Sequence, residues 1–442
     1  LNRRRFLLAA ATATIPTQAF PKQASAMGRV PVGGDVALRV PWSTGRIDPH
    51  DLHDPMAAFF GPAIADTVYL REASGRVYPA LADGMPIEEG DETLVTLRPG
   101  LVSARGMAIS GRDLAWSTAR AKRLGASGLL APLDPMIRSD PERPLIARFK
   151  GVPADRLALL LTSPLCALLP VGYSPTEPDG TGPFRATCTS QQLVLERNEN
   201  ASRGPAFLEK VAVRRASDLT DSLSAFEAAQ DDLGWLGLGF HRDRPKSRRF
   251  DFREAGWVIL ATGRNAGRFA APGMAQKLAN GVGVGRLHVG LHGISGPSIT
   301  WDGGATELLY DSDCSHLGAV AEAVAAKLSS SGHEVRPRPL SRARLRSART
   351  AESYALALDL VRDPGAVPGG ESIALATADK PDIARQRGLT PSTLLGTAAT
   401  AALRVGIIGS LRIEGGVASE IILAAHPSGK GFDWGASYRR PA

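Results

Sequence analysis

The sequence predicts an α/β fold, and three observations support this prediction. Segments with the alternating pattern of strands and segments with helical spacing follow one another along the whole chain, an order typical of α/β proteins. Glycine (47 residues) and proline (32 residues) are frequent, so we expect short elements joined by turns. With 442 residues the chain is too long for one simple core and suits two or three domains.

The first predicted strand, Asp35–Val40, alternates apolar and polar residues and leads into a turn-rich loop. A turn at 179–183 precedes a predicted hairpin formed by 184–187 and 193–197. The remaining predicted strands are 77–81, 92–97, 145–149, 210–214, 232–238, 257–262, 287–291, 307–310, 333–338, 355–361, 403–408 and 421–425. Helical spacing predicts helices at 55–68, 110–119, 153–161, 218–229 and 317–328.

Residues 1–26 have the features of an export signal in the expected order. Arg3, Arg4 and Arg5 give a charged start, residues 6–15 a moderately apolar stretch, and residues 24–26 a small-residue cleavage site. Residues 3–7 also resemble the twin-arginine export pattern R-R-x-F-L. We therefore expect a signal peptide and a soluble periplasmic protein; a basic amphipathic start to a cytoplasmic protein is the alternative.

The formal net charge of +8 invites a nucleic-acid interpretation. Residues 1–26 hold four cations and no acid, so the rest of the chain carries +4. Two arginine-rich stretches remain, 241–253 and 336–349, and neither is interleaved with aromatic residues as a single-strand binder requires. We expect no nucleic-acid partner.

Cysteine and histidine spacing gives little evidence for a metal or a disulfide framework. Cys166, Cys188 and Cys314 lie far apart, so at most one disulfide can form, and three small buried thiols are the other interpretation. Residues 50–54 (HDLHD) place two histidines three positions apart beside carboxylates, a set that can ligate a metal. Flanking prolines and a helix-capping role for Asp54 are the alternative, and we predict no metal and no cofactor.

Eight short motifs resemble, in order, those of the peptide/nickel (oligopeptide/dipeptide) family of extracellular solute-binding proteins of bacterial ABC importers. Within the first motif, residues 47–50 (IDPH) are similar to the family's LDPH, and residues 181–184 (TGPF) are similar to its GTGPY/F. The eight motifs are 38–50, 75–82, 94–100, 109–117, 161–170, 181–184, 195–198 and 225–236. The second half, with 307–338 and 358–364, matches less closely.

The resemblance implies a two-lobed periplasmic-binding-protein (Venus-flytrap) fold with two hinge crossovers and an extra subdomain on lobe I. The expected segments are a signal peptide 1–26, lobe I 27–69, 172–243 and 386–442, the subdomain 70–171, and lobe II 244–385.

The resemblance also implies a monomeric binding protein that performs no chemistry. It would deliver a small solute, most often a peptide, to a membrane-embedded ABC permease. An exported hydrolase is one alternative, although the sequence has neither a G-x-S-x-G elbow nor an HExxH motif. A transport-inactive sensor or scaffold of the same fold is the other, since the second half matches less closely.

Ligand contacts in such a fold come from loops at strand ends that face the cleft. The loop after the first strand offers Trp42 as a flat apolar wall, Thr44 as a hydroxyl, and His50. Trp235 lies between glycines at the end of a predicted strand. For both tryptophans, packing in the core is the alternative.

In the second half, Arg264 can pair with a ligand carboxylate, with Asn265 beside it; a solvated loop arginine is the alternative. Asp359 lies inside an apolar strand, where an unpaired carboxylate is costly. The resemblance places both Asp359 and Asp363 where the family's second-lobe aspartate binds a peptide's α-amino group. Asp359 is the better candidate, because Asp363 precedes a proline and has the character of a turn residue.

Overall fold

The structure, a computed structural model, describes residues 30–136, 142–235, 244–283, 291–293, 296–329, 333–365, 367–380 and 400–441. The predicted signal peptide at 1–26 lies outside these residues. In the part of the chain that is described, no helix is both long and apolar enough to cross a membrane. Residues Pro31–Ala442 form one compact unit.

Strands and helices alternate along this unit, which confirms the predicted α/β class. The strands are β1 Asp35–Val40, β2 Tyr69–Arg71, β3 Val77–Pro79, β4 Ile87–Glu89, β5 Glu92–Thr96, β6 Asp134–Met136, β7 Ile146–Lys150, β8 Phe184–Cys188, β9 Gln192–Arg197, β10 Lys210–Arg215, β11 Leu233–Trp235, β12 Ser247–Thr262, β13 Leu291–Gly293, β14 Thr306–Asp311, β15 Val335–Leu340, β16 Leu356–Arg362, β17 Val405–Ala418, β18 Ile421–Ala425 and β19 Phe432–Arg439. The α-helices are α1 Pro55–Ile64, α2 Gly111–Arg123, α3 Ala154–Leu160, α4 Leu219–Glu227, α5 Met274–Val282, α6 Ser315–Ser329, α7 Arg342–Thr350 and α8 Gly370–Asp379, and short 3₁₀ helices lie at Pro164–Cys166 and Arg264–Ala270.

The largest sheet has the strand order β15-β14-β16-β12-β17-β11-β1-β10-β9-β8, with β13 beside β17. β14 is parallel to β15 and β16, and β1 is parallel to β10 and β11, whereas β12 and β17 are antiparallel to their neighbours on both sides. The two parallel groups consequently run in opposite directions. β16 ends opposite Gly256, midway along β12, and β11 ends opposite Gly415 of β17, so the carboxyl ends of the two groups face each other along these long strands. Strands β4-β5-β7-β6 form a separate sheet, and β2–β3 and β18–β19 are two-stranded.

Two long strands, β12 and β17, connect the two parallel groups. They pair with each other over most of their length, with register shifts between Asp251 and Gly256. At Gly256 a Cβ atom would lie 2.2 Å from the Val361 carbonyl oxygen, so the approach of β12 to β16 requires glycine. The chain thus crosses between the groups on two adjacent strands that are irregular midway.

The core lies on both faces of these crossover strands. Because successive side chains of a strand point to opposite faces, Val258 and Leu260 join one apolar cluster while Trp257 and Ile259 join the other. The buried residues of β1, including Val36 and Leu38, belong to the first cluster. The crossover strands therefore lie between two apolar layers. The polar groups at the strand ends lie outside these layers and are available to contact a ligand.

Several elements differ from the sequence-based expectation. Of the predicted strand 287–291, residues 287–290 lie outside the described part, and β13 begins only at Leu291. Helices α5, α7 and α8 were not predicted. α7 buries only Leu345 and is rich in arginine, whereas most of α8 is buried, so neither has the apolar stripe of an amphipathic helix. The hairpin of β8 and β9 forms as expected, with Phe184 opposite Arg197.

The three cysteines are free thiols. Cys166 and Cys314 are buried and Cys188 is partly buried. Burial raises the pKa of each thiol to about 12, so all three are protonated and unreactive at neutral pH.

Candidate ligand-binding site

The loop after β1 meets the loop after β14. The backbone amide of Ser43 donates to the Asp313 carbonyl oxygen at 2.9 Å, and the Ser315 hydroxyl donates to the Pro41 carbonyl oxygen at 2.9 Å. Loops that are up to 274 positions apart in sequence are therefore joined by hydrogen bonds to main-chain carbonyl oxygens. In open α/β sheets, the carboxyl ends of strands are the usual place for ligands, and here two such edges face each other.

Arg362, the last residue of β16, is fully buried in this loop region. Its guanidinium group donates to the carbonyl oxygens of Pro49 (2.9 Å), Asp51 (3.1 Å) and Ala57 (3.0 Å). Burial lowers the pKa of Arg362, opposed by nearby aspartates. The contact fixes the loop after β1 against the end of β16.

Asp51 connects the same loop to helix α7. The guanidinium group of Arg346 donates to its carboxylate at 2.9 Å, and Arg342 lies 3.8 Å away. Arg342 also donates to Asp311 at the end of β14 at 2.9 Å. Burial raises the pKa of Asp51, but Arg342 and Arg346 outweigh that effect and hold it at about 2. Asp51 is therefore ionised at any physiological pH.

Asp359 forms the centre of a second charged group. Its carboxylate accepts from Arg349 of α7 and lies 3.1 Å from Nδ1 of His53. Nδ1 of His53 also lies 2.9 Å from the Leu360 carbonyl oxygen. Burial disfavours the ionised carboxylate, yet His53 and Arg349 hold the pKa of Asp359 well below its ordinary value. The strand thus buries a carboxylate that contacts the Arg349 guanidinium group and the His53 ring.

A cavity of about 280 Å³ lies between these two charged groups. Its walls come from the loop after β1, the end of α2, the ends of β14 and β16, α7, and the last turn of α8. The lining residues are Asp51, Leu52, His53, Arg123, Leu124, Asp311, Arg342, Leu345, Arg346, Arg349, Thr350, Asp359, Thr377, Ala378 and Asp379. Four arginines and four aspartates line it together with apolar side chains, so it can bind a small polar molecule by charge and by shape.

Sequence comparisons give no match: no family model and no curated protein matches this chain. Solved structures match over nearly the whole chain. The periplasmic binding protein (PBP) AgaA from A. tumefaciens R10, in complex with agropinic acid, has a TM-score of 0.70 at 15% identity, covering 92% of this chain and 99% of AgaA. The oligopeptide-binding protein AppA from Bacillus subtilis, in complex with a nonapeptide, has a TM-score of 0.67 at 12% identity, covering 93% and 100%.

A third similar structure is NikA from Staphylococcus aureus in complex with Ni(L-His)2, with a TM-score of 0.67 at 12% identity, covering 92% of this chain and all of NikA. The chain has the two-lobed fold of these solute-binding proteins. The expected fold is confirmed, and β12 and β17 are its two crossovers. The segment boundaries expected for the lobes and the subdomain stay a prediction.

The site residues predicted in the loop after β1 do not line the charged cavity. Trp42 is buried and stacks on Phe59 with ring centroids 4.8 Å apart. The Thr44 hydroxyl donates to the Thr189 carbonyl oxygen at 2.9 Å. His50 is buried, and its Nε2 lies 2.8 Å from the Ala167 carbonyl oxygen. Their role as ligand contacts stays a prediction.

The other predicted residues are dispersed. Asp359 lines the cavity, whereas Arg264 is exposed and pairs with Glu352 at 2.8 Å. Asn265 lines a separate surface groove beside Trp301. Trp235 ends β11, and its side chain lies outside the described part of the chain. In the described residues, no group of three or more histidine, cysteine or acidic side chains is arranged to hold a metal ion.

Sequence reasoning missed most of the cavity, including Asp51, Arg342, Arg346 and Asp379. One signal was available: residues 336–349 are rich in arginine, and buried arginines need carboxylate partners. The aspartates of the loop after β1 were considered only for metal binding and helix capping. Their actual partners come from the other end of the chain, and no local pattern indicates that pairing.

Proposed function

We propose that this chain is an exported solute-binding protein that delivers a small, peptide-like solute to an ABC importer. The observation that carries the proposal is the charged cavity of about 280 Å³ between the carboxyl ends of β1 on one side and of β14 and β16 on the other. Similar structures support it, because they hold agropinic acid, a nonapeptide or a nickel–histidine complex, and another is a murein tripeptide binding protein.

The proposal includes no catalytic step. The Ser117 hydroxyl lies 3.4 Å from Nε2 of His50, the arrangement of a nucleophile and its base, but both residues are buried and neither lines the cavity. The Ser117 hydroxyl already donates to the Ala167 carbonyl oxygen at 2.8 Å. The pair therefore serves packing. The charged residues that line the cavity are mostly paired with one another, an arrangement that supports binding of a ligand without a chemical step.

Export belongs to the same proposal and rests on residues 1–26. The mature protein would act in the periplasm as a monomer and dock on a membrane-embedded permease. Substituting Arg3 and Arg4 by lysine should leave uncleaved precursor in the cytoplasm, because the twin-arginine pair is the recognised feature. Fractionation and intact-mass measurement test this, and cleaved periplasmic protein from the double variant would contradict the twin-arginine route.

Native mass spectrometry of the protein from Met27 onward tests solute binding. We expect an added small mass that is lost on denaturation and restored when the recovered compound is added back. Thr350→Trp, which fills the cavity mouth, should reduce the bound fraction, whereas Ser347→Trp on the exposed side of α7 should not.

A folded wild-type protein that stays empty with peptide, amino-acid, sugar and metal-chelate panels would contradict the proposed function. Equal loss of binding in Thr350→Trp and Ser347→Trp would contradict the assignment of the site to this cavity. Turnover of any bound compound would favour the hydrolase alternative instead.

A further inference from the structure

Some charged side chains that line the cavity already form ion pairs within the protein, whereas others form none with any described residue. The side chains without an ion pair indicate where a ligand's own charges would bind. The inference rests on the proposed function. Asp359, the aspartate that the family resemblance assigns to a ligand's amino group, already faces Arg349 and His53. A ligand ammonium group would have to displace the guanidinium group or the imidazole ring from this carboxylate. Asp51 and Asp311 are likewise engaged by Arg342.

Asp379 is the exception among the cavity's carboxylates. It is the last residue of α8 and forms no ion pair with any described residue, although the backbone amide of Arg404 donates to its carboxylate. Burial raises the pKa of Asp379. A partly buried carboxylate without a cation in contact gains from a charged hydrogen-bond donor on a ligand.

Arg123 is the corresponding cation. It is the last residue of α2, is exposed, and forms no ion pair with any described residue. Arg346 of α7 lines the same cavity and has a side chain that is 51% exposed. Arg346 already donates to Asp51 through one guanidinium nitrogen, so it offers a ligand its other nitrogens, and a carboxylate that contacts both arginines would join α2 to α7.

Size and charge limit the ligand further. The cavity of about 280 Å³ is smaller than the roughly 300–1,000 Å³ typical of pockets for drug-sized ligands, which excludes a long peptide. Four arginines and four aspartates give the lining no net formal charge, apart from His53. Such a lining favours a ligand whose own charges are separated but cancel.

We propose that the cavity takes a compact zwitterion of amino-acid to dipeptide size, with its ammonium group on Asp379 and its carboxylate between Arg123 and Arg346. Asp359 then acts as a structural counter-ion for Arg349 and His53. The family resemblance would place the ligand's ammonium group on Asp359, whereas we assign that group to Asp379. The proposal also adds a contact from α2, since Arg123 binds the ligand's carboxylate.

Isothermal titration with L-amino acids and alanine-containing dipeptides identifies the tightest zwitterion for wild-type protein. Its N-acetyl and amide derivatives are then titrated against Asp379→Asn and Arg123→Gln. We expect each variant to weaken the free zwitterion by about tenfold or more, because each removes one charge-assisted hydrogen bond. Asp379→Asn should not weaken the N-acetyl derivative further, and Arg123→Gln should not weaken the amide further.

Two matched variants are the controls. Arg112→Gln removes an exposed arginine from the first turn of α2, and Asp83→Asn removes an exposed carboxylate far from the lining residues. Both should bind like wild type. Thermal unfolding of all four variants distinguishes the loss of a ligand contact from the loss of the folded state. Titration of the N-acetyl and amide derivatives against wild-type protein tests the same two contacts without any substitution.

The outcomes separate this inference from the proposed function. A zwitterion that binds Asp379→Asn as tightly as wild type overturns the assignment of the ammonium group. Wild-type protein that rejects every amino acid and dipeptide but binds a longer peptide, a sugar or a metal chelate overturns the inference while the solute-binding function stands. Wild-type protein that binds nothing overturns both.

Discussion

Arg362 is a buried guanidinium group that is held mainly by carbonyl oxygens. No carboxylate of the described residues lies within ion-pair distance of it, and its three acceptors belong to Pro49, Asp51 and Ala57. Desolvating a cation is costly unless its donors find partners, and here both terminal nitrogens of the guanidinium group donate to carbonyl oxygens. One side chain therefore joins the end of β16 to the loop after β1.

Replacing Arg362 with methionine keeps an apolar stem of similar length but removes three buried hydrogen bonds to carbonyl oxygens. We expect the free energy of unfolding to fall by about 3–5 kcal/mol. Urea unfolding followed by tryptophan fluorescence measures it. Arg344→Met, at an exposed position of α7, is the control and should change stability by less than about 0.5 kcal/mol. Equal effects of the two substitutions would contradict the role of Arg362.

At the scale of elements, helix α5 packs directly on the backbone of β17. At Gly406 of β17 an added Cβ atom would lie 2.5 Å from the backbone carbon and oxygen of Ala275 in α5. The side chain of Gln276 strengthens this contact, since it accepts from the Ile407 amide at 2.8 Å. The helix is thereby held directly on a crossover strand.

Gly406→Ala should destabilise the protein by about 3 kcal/mol, because two backbones must separate to admit one methyl group. Gly84→Ala is its matched control, since an added Cβ there meets nothing within 4 Å. Differential scanning calorimetry of both variants compares their Tm values. A normal Tm for Gly406→Ala would mean that α5 moves away from β17 at little cost.

At the scale of the whole molecule, buried titratable groups set how stability depends on pH. Burial lowers the pKa of His50 to about 4, opposed by its hydrogen bond to Ala167, and burial lowers the pKa of His426 to about 4 as well. Burial raises the pKa of Asp66 to about 6, opposed by Arg203. The histidines and Asp66 therefore act in opposite directions on acidification.

Between pH 6.5 and 4 the unfolded chain binds protons at His50 and His426 before the folded protein does, so both histidines make stability fall as pH falls. In His50→Gln the loss of stability between pH 7 and pH 5 should be smaller by about 2 kcal/mol than in wild type. Urea unfolding at the two pH values measures the difference. An unchanged difference would mean that His50 is protonated in the folded protein.

Asp66 gives the opposite test. Its raised pKa means that the folded protein takes up a proton before the unfolded chain does, which offsets part of the acid-induced loss. Asp66→Asn should therefore be more stable than wild type at pH 7 and should lose more stability on going to pH 5. The same unfolding measurements detect both changes, and a shallower pH dependence in Asp66→Asn would contradict the assignment.

Much of the secondary structure could be predicted from the sequence. The alternation in Asp35–Val40 and the turn at 179–183 identified β1 and the β8–β9 hairpin, because neighbouring residues alone decide such elements. The order of motifs also predicted the two-lobed fold. Helix α7 escaped prediction, since its arginines are held by distant carboxylates rather than by an apolar stripe.

Which residues line the cavity is determined only by the tertiary structure. Arg346 meets Asp51 across 295 positions of sequence, and Arg362 meets Pro49 across 313. The sequence determined how many arginines the stretch 336–349 contains but not which of them are paired: five have carboxylate partners, whereas Arg344 has none among the described residues. The reason is physical: local spacing encodes secondary structure, whereas the compensation of a buried charge depends on which strand ends the fold brings together.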